Sequence, residues 1–200
     1  VTNRPHLYIL QKLNRHVFHD LEGVMHNIIA LTEHLKKKVG NPYQVLTLVS
    51  TREEHPYLIT EGGDYWRLYE FITESICLEK AQSIDDFRQS AVAFGEFQNQ
   101  LSDFPASVLN ETIPRFHDTP DRYQKLYDAI NLDKMGRVKE VETEIKCFLS
   151  RESEASTLMN LLRNNELPLR VTHNDTKLNN VMLRQRDHSP LCVIDLDTVM

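Results

Sequence analysis

The chain has 200 residues, 40% of them apolar and 26% charged, with a net charge of -6. Enough apolar side chain is present for one large core or two small ones, and the acidic balance argues against nucleic acid or an anionic membrane as the main partner. No run approaches the roughly 20 apolar residues of a membrane helix, and "VTNRPHLYIL" lacks the charged-then-apolar form of a signal peptide. The cysteines Cys77, Cys147 and Cys192 are scattered, with no Cys-x-x-Cys pair, which does not suggest a zinc site or a disulfide frame and suits free thiols in a reducing, cytoplasmic setting. Cys192 sits in an apolar run and reads as a small core residue.

In chain order, "HLYILQKL" (6–13) reads as a strand. From Asp20 to Lys38, Leu21, Met25, Ile28, Leu31 and Leu35 recur at three- and four-residue steps, the signature of an amphipathic helix. Asp20 suits its N-cap, and Gly40 with Pro42 ends it. Lys36–Lys38, the only basic run, falls at this helix end and reads as a solvated terminus. "QVLTLVS" (44–50) is a second expected strand. "PYLIT", "EGGD" and "YWRLYEFI" then form a hairpin turning at Gly62 and Gly63, with Trp66 read as a core residue.

Ser83 opens a helix to about Leu101, and "SIDD" resembles a capping box with Asp in the usual Glu place. A proline-containing connection, 109–122, leads to helical patterns at 120–131, 138–150 and 154–164, which Pro168 ends. Short strands return as "LRVT", "NVMLR" and "LCVIDL". The expected organisation is a strand-rich piece, 1–72, and a mainly helical piece, 73–200, with a ligand cleft between them.

The stretch "VTHNDTKLNNVM" carries the chemistry. Asp175 lies in a loop after one strand, Asn180 at the start of the next, and Asp195 ends the apolar run "CVI", with Asp197 following. An amide and a carboxylate on adjacent strand ends are hard oxygen ligands suited to Mg²⁺. A third carboxylate kept off the metal can take a proton from a hydroxyl. Together these are the parts that phosphoryl transfer from ATP requires. The alternative is that Asp175 and Asn180 only make turn hydrogen bonds and Asp195 a helix cap.

His-x-Asp-x4-Asn followed by a strand and Ile-Asp, here "HNDTKLNN" and "VIDLD", resembles the catalytic and metal loops of protein-kinase-like enzymes. Its form is similar to the aminoglycoside phosphotransferase and choline kinase-like family. "YILQKLN", "HPYLITEGGDYWRLYEFI" and "ETIPRFHDTP" extend the likeness toward the N-acetylhexosamine 1-kinase group. The resemblance implies a two-lobed α+β kinase-like fold using ATP and Mg²⁺, with Asp175 as base, Asn180 and Asp195 as metal ligands, His173 structural in the loop, and Asp197 supporting the metal.

It further implies that Glu70, Phe71 and Ile72 form a hinge receiving adenine, against a plain edge-strand reading of "YEFIT". Arg115, His117 and Asp118 would bind sugar hydroxyls, with a structural loop as the equal alternative. By strand alternation only one of Gln11 and Lys12 faces the cleft. The resemblance puts Gln11 inward, which leaves Lys12 reaching phosphate or the phosphates held elsewhere as the other possibilities; Glu22 and Glu33 are the helix acids open to partner it. The chain has no Gly-x-Gly-x-x-Gly hairpin and ends five residues after Asp195, so an internal piece of a longer enzyme is expected. The rivals are another small acceptor (choline, homoserine or an aminoglycoside) and a non-catalytic kinase-like domain.

Overall fold

The computed structural model describes residues 6–40 and 44–200. Two compact units emerge: the chain through Ile113 together with Arg170–Met200, and Pro114–Leu169. The expected lobe boundary near residue 72 falls inside the first unit.

The first unit opens with β1 (Tyr8–Lys12) and the 18-residue helix α1 (Leu21–Lys38). Asp20 caps α1 by accepting the Gly23 amide at 2.8 Å. A Cβ on Gly23 would lie 2.3 Å from the same carboxylate, so glycine is what lets this cap close. The three- and four-residue periodicity is realised as a buried face of Leu21, Val24, Met25, Ile28, Leu31 and Leu35. Burial of each such side chain contributes about 1.5–3 kcal/mol. Pro42, expected to help end α1, lies outside the described residues.

The hairpin forms as expected, from β2 (Leu58–Ile59) and β3 (Tyr65–Glu70). Its turn places Gly63 at φ +77°, a left-handed conformation that glycine adopts without steric cost. β3 is the middle strand, in the order β1-β3-β2, with Gln11 opposite Arg67 and Lys12 opposite Trp66. Trp66 is half-buried, with the Lys12 ammonium 6.0 Å from its ring centre, rather than fully in the core.

Residues 44–50 differ from expectation. They make a single bridge, Leu48 to Tyr69, flanked by Val49 N–H to Leu68 O (2.8 Å) and Glu70 N–H to Thr47 O (3.0 Å). β1 fills one edge of β3, and β2 already takes the start of the other. Only its far end is left for this segment.

A second antiparallel sheet, ordered β4-β5-β6, consists of Ser75–Cys77, Val181–Arg184 and Pro190–Val193. β4 was not expected, since three residues carry no readable alternation. "LRVT" is not a strand: Thr172 and Met200 exchange two backbone bonds and nothing continues the ladder. Helix α2 (Ile84–Gln100) packs against β6 and starts with the capping box, Ser83 and Asp86 bonding each other's backbone amides. Asp86 also accepts from the Gln82 amide and meets His188 Nδ1 at 3.0 Å, tying α2 to the β5–β6 turn. The His188 contact, then these amides, hold its carboxyl down at about 2.

Asn27, fully buried on α1, joins the helix to two distant segments. Its Nδ2 donates to Asn110 O (2.8 Å) and Val199 O (3.1 Å), and its Oδ1 accepts the Asn110 amide (2.8 Å).

The second unit holds α3 (Thr119–Leu132), α4 (Glu142–Leu149) and α5 (Thr157–Arg163), close to the expected helices, with residues 138–141 forming a separate 3₁₀ turn. Tyr123 donates to Phe148 O at 2.7 Å, linking α3 to α4. None of residues 114–169 is fully buried. Cys192 is buried in the core, and burial pushes its thiol up to about 12; Cys77 and Cys147 are exposed and unpaired. No helix among the described residues is long and apolar enough to cross a membrane.

Replacing Asn27 by alanine strands the Asn110 amide and two carbonyls in the interior. We expect a loss of about 2–4 kcal/mol in chemical denaturation, against near-neutral effects of alanine at exposed Glu33.

Candidate active site

The β5–β6 ladder builds the site. Val181 pairs with Val193, and the Ile194 amide donates to Asn180 O at 2.9 Å, so Asn180 before β5 and Asp195 after β6 come to neighbouring strand ends. Asn180, itself buried, then reaches back: its Nδ2 donates to Asp175 O (2.9 Å) and Asp175 Oδ2 (3.0 Å). With the amide nitrogen spent on Asp175, the Asn180 oxygen remains for a cation.

Asp195 sits at φ 60°, ψ 56°, a left-handed conformation that costs a non-glycine residue on the order of 1–3 kcal/mol and persists where its surroundings over-determine it. Here His173 Nε2 contacts Ile194 O at 2.9 Å, Thr198 Oγ1 donates to His173 O at 2.8 Å, and Leu196 and Val199 are buried on the other side. His173 is almost fully enclosed, with Phe94 and Phe97 edge-on to its ring at 5.2 and 5.9 Å. Its Nδ1 accepts the Asp175 amide at 3.3 Å, so the Nε2-protonated neutral tautomer satisfies both contacts. Burial lowers its pKa from the ordinary imidazole value.

The two carboxylates, Asp175 and Asp195, are perturbed in opposite directions. The Lys177 ammonium, 2.8 Å from Asp175 Oδ2, holds that carboxyl below its usual range, helped by the Asn180 amide. Asp175 is therefore ionised and able to accept a proton at neutral pH. Asp195 is raised instead, by burial first and then by the carboxylates of Asp197 and Asp175. A cation relieves that repulsion.

Asp197 does not stand free beside Asp195. Both its oxygens are held by the Arg67 guanidinium, which is 5% exposed. Arg67 Nε donates to Gln11 Oε1 at 3.0 Å, and the guanidinium carbon lies 5.1 Å from the Tyr69 ring centre.

A cavity of about 340 Å³ opens beside Arg67 and Asp195, lined by Gln11, Arg67, Tyr69, residues 70–72, Asn180 and Asp195 among others. Gln11 faces it, whereas Lys12 is bonded to Asp64 at 2.6 Å. At the hinge, the Glu70 amide is bonded to Thr47 O and the Phe71 amide to Leu7 O. Among the described residues the Ile72 amide has no such bond and is the donor of the three left for a ligand. Glu22 accepts from the Tyr65 hydroxyl at 3.1 Å, away from Lys12, and Glu33 is exposed.

The expected sugar contacts lie in the second unit. Arg115 pairs with Asp118 (3.1 Å) and Asp121 (3.0 Å), Asp118 caps α3, and the His117 ring lies 4.5 Å from Phe116. In this geometry Arg115 and Asp118 build the start of α3.

The model of the phosphotransferase enzyme family matches residues 8–200, nearly the whole chain. The chain belongs to this family. Its α+β fold is protein-kinase-like, and membership carries phosphotransferase activity toward a small-molecule acceptor.

Two residues of this candidate site were not singled out from the sequence. Lys177 carries only a weak signal, a cation two positions after the proposed base. Arg67 carries a better one: in "YWRLYE" it alternates onto the same side as Tyr69, and a cation on the buried side of a strand demands a carboxylate partner.

Because His173 is held neutral when folded, stability should fall as pH drops below about 6.5, where only the unfolded chain takes up its proton, until the lowered folded pKa is passed. The slope from this one group is at most about 1.4 kcal/mol per pH unit. Comparing denaturation midpoints of wild type and His173→Gln between pH 5 and 7.5 should show part of the slope disappearing in the variant.

Proposed function

We propose that this phosphotransferase is an ATP- and Mg²⁺-dependent kinase whose acceptor is the anomeric hydroxyl of an N-acetylhexosamine, giving the sugar 1-phosphate. The observation that carries the kinase chemistry is the placement of Asn180, which lines the cavity beside Asp195 and is bonded to Asp175. Asn180 holds Asp175 with its nitrogen while its oxygen and Asp195 remain for a metal. Two protein donors are what Mg²⁺ ordinarily takes when phosphate oxygens and water complete its shell. Bound Mg²⁺-ATP would supply the γ-phosphoryl group and the neutralising charge.

The chain's own residues do the rest. Asp175 accepts the proton as the acceptor oxygen bonds to the γ-phosphorus and the bond to the β-phosphate oxygen breaks, releasing ADP. Asn180 and Lys177 fix the Asp175 carboxylate and keep it ionised. The Ile72 amide supplies a donor for the adenine edge. The choice of sugar is supported by the likeness of "YILQKLN", "YWRLYEFI" and "TIPRFHDTP" to the N-acetylhexosamine 1-kinase group.

Asp175→Asn should keep nucleotide binding and lose about 10²–10⁴-fold in turnover. Asp195→Ala should raise the Mg²⁺ concentration needed for half-maximal rate. Phosphorus NMR with Mg²⁺, ATP and a panel of N-acetylhexosamines, choline, homoserine and aminoglycosides reads both. A sugar 1-phosphate signal supports the acceptor, and phosphate transfer to another panel member replaces it. Near-normal turnover by Asp175→Asn would refute the base assignment.

A further inference from the structure

We infer that Arg67 is the phosphate-contacting cation of this site, held ready by Gln11 and Asp197, in place of a lysine on β1. The inference rests on the nucleotide reading above and adds a residue to it.

A bound triphosphate needs a positive partner on the β-sheet side of the cavity. Strand geometry denies that place to Lys12, which pairs with Asp64 while its neighbour Gln11 faces inward. Among the described residues lining the cavity, Arg67 is the sole cation. It lies on the same lining as Asn180 and Asp195, so phosphates bridged to a metal there come within its field.

The surroundings of Arg67 set its plane. Gln11, its register partner, accepts from Nε, and Asp197 accepts from both terminal nitrogens. A guanidinium has five N–H groups, and these contacts use three, leaving two for an anion in the cavity. Arginine's planar fork loses little freedom on making such bonds once its plane is fixed, unlike a flexible lysine stem. Asp197 accordingly belongs to the anchoring of Arg67 and not to the metal shell. Gln11 also makes sense in that light: a lysine there would set a second cation against Arg67, whereas an amide oxygen accepts its Nε–H.

The test compares ATP with adenosine, both without Mg²⁺, by calorimetry on wild type, Arg67→Gln and Arg67→Lys, with circular dichroism to confirm folding. Wild type should prefer ATP. Arg67→Gln should lose that preference by about tenfold or more with adenosine affinity unchanged, and Arg67→Lys should keep part of it. An unchanged ATP-to-adenosine ratio in folded Arg67→Gln overturns the inference and leaves Arg67 a structural clamp on Asp197. Wild type binding neither ligand overturns the nucleotide reading itself.

If Arg67→Gln does not fold, wild type labelled with ¹⁵N-arginine gives the answer. The buried guanidinium Nε resonance, assigned through Arg67→Lys, should move with ATP and inorganic triphosphate and not with adenosine. A resonance unmoved by all three overturns the assignment.

Discussion

The antiparallel pairing of β5 with β6 is the constraint on which the rest of the site depends. Loops twenty residues apart in sequence meet because Val181 faces Val193 and one more bond, Ile194 to Asn180, carries the ladder past the strand ends. A one-residue slip would turn every side chain over and separate Asn180 from Asp195. The register is held from outside by apolar contact: Val181, Leu183, Leu191, Cys192 and Val193 are all buried, and α2 covers β6. Core packing and the geometry of the candidate site are in this sense one interaction, since the residues that bury the sheet also aim its ends.

The second organising feature is concentrated charge, with the Arg67–Asp197 pair buried and the Asp175, Asp195 and Lys177 side chains part-exposed. Asp175, Asp195 and Asp197 share the site with Lys177 and Arg67, and for the buried Arg67–Asp197 pair desolvation offsets much of the attraction. A buried pair such as Arg67 with Asp197 adds little net stability when intact, yet losing one partner costs about 3–5 kcal/mol because the other is left uncompensated. Such a pair is a device for geometry. It connects the first sheet to the segment after Asp195, and Asn27 does the same from α1 through Val199. The segment after Asp195 is thus tied to both the sheet and the helix of the strand-rich half of the first unit, and the left-handed Asp195 is held in place by those ties.

Much of this was legible in residue order. The period of Leu21 to Leu35, the Ser83–Asp86 box, the Gly62–Gly63 turn and the His-x-Asp-x4-Asn spacing each express a local rule in which the residues that matter lie within one or two turns of one another. The segments 44–50 and 169–172 looked like strands for the same local reasons and are not, because a strand also needs a free partner edge, and β3 and Met200 offer only a bridge's worth. β4 shows the reverse case: three residues with no readable pattern become a strand because β5 has an open edge beside them.

The sequence by itself determined the helices, the hairpin and the set of candidate polar groups, since these follow from short-range periodicity and chemical type. Only the tertiary structure decided which groups meet. Gln11 faces the cavity while Lys12 is spent on Asp64, and Asp197 turns to Arg67, 130 positions earlier in the chain. The reason is physical: pairing of charges between distant segments is settled by which strand edges and loops pack together, and no local pattern of residues encodes that distance.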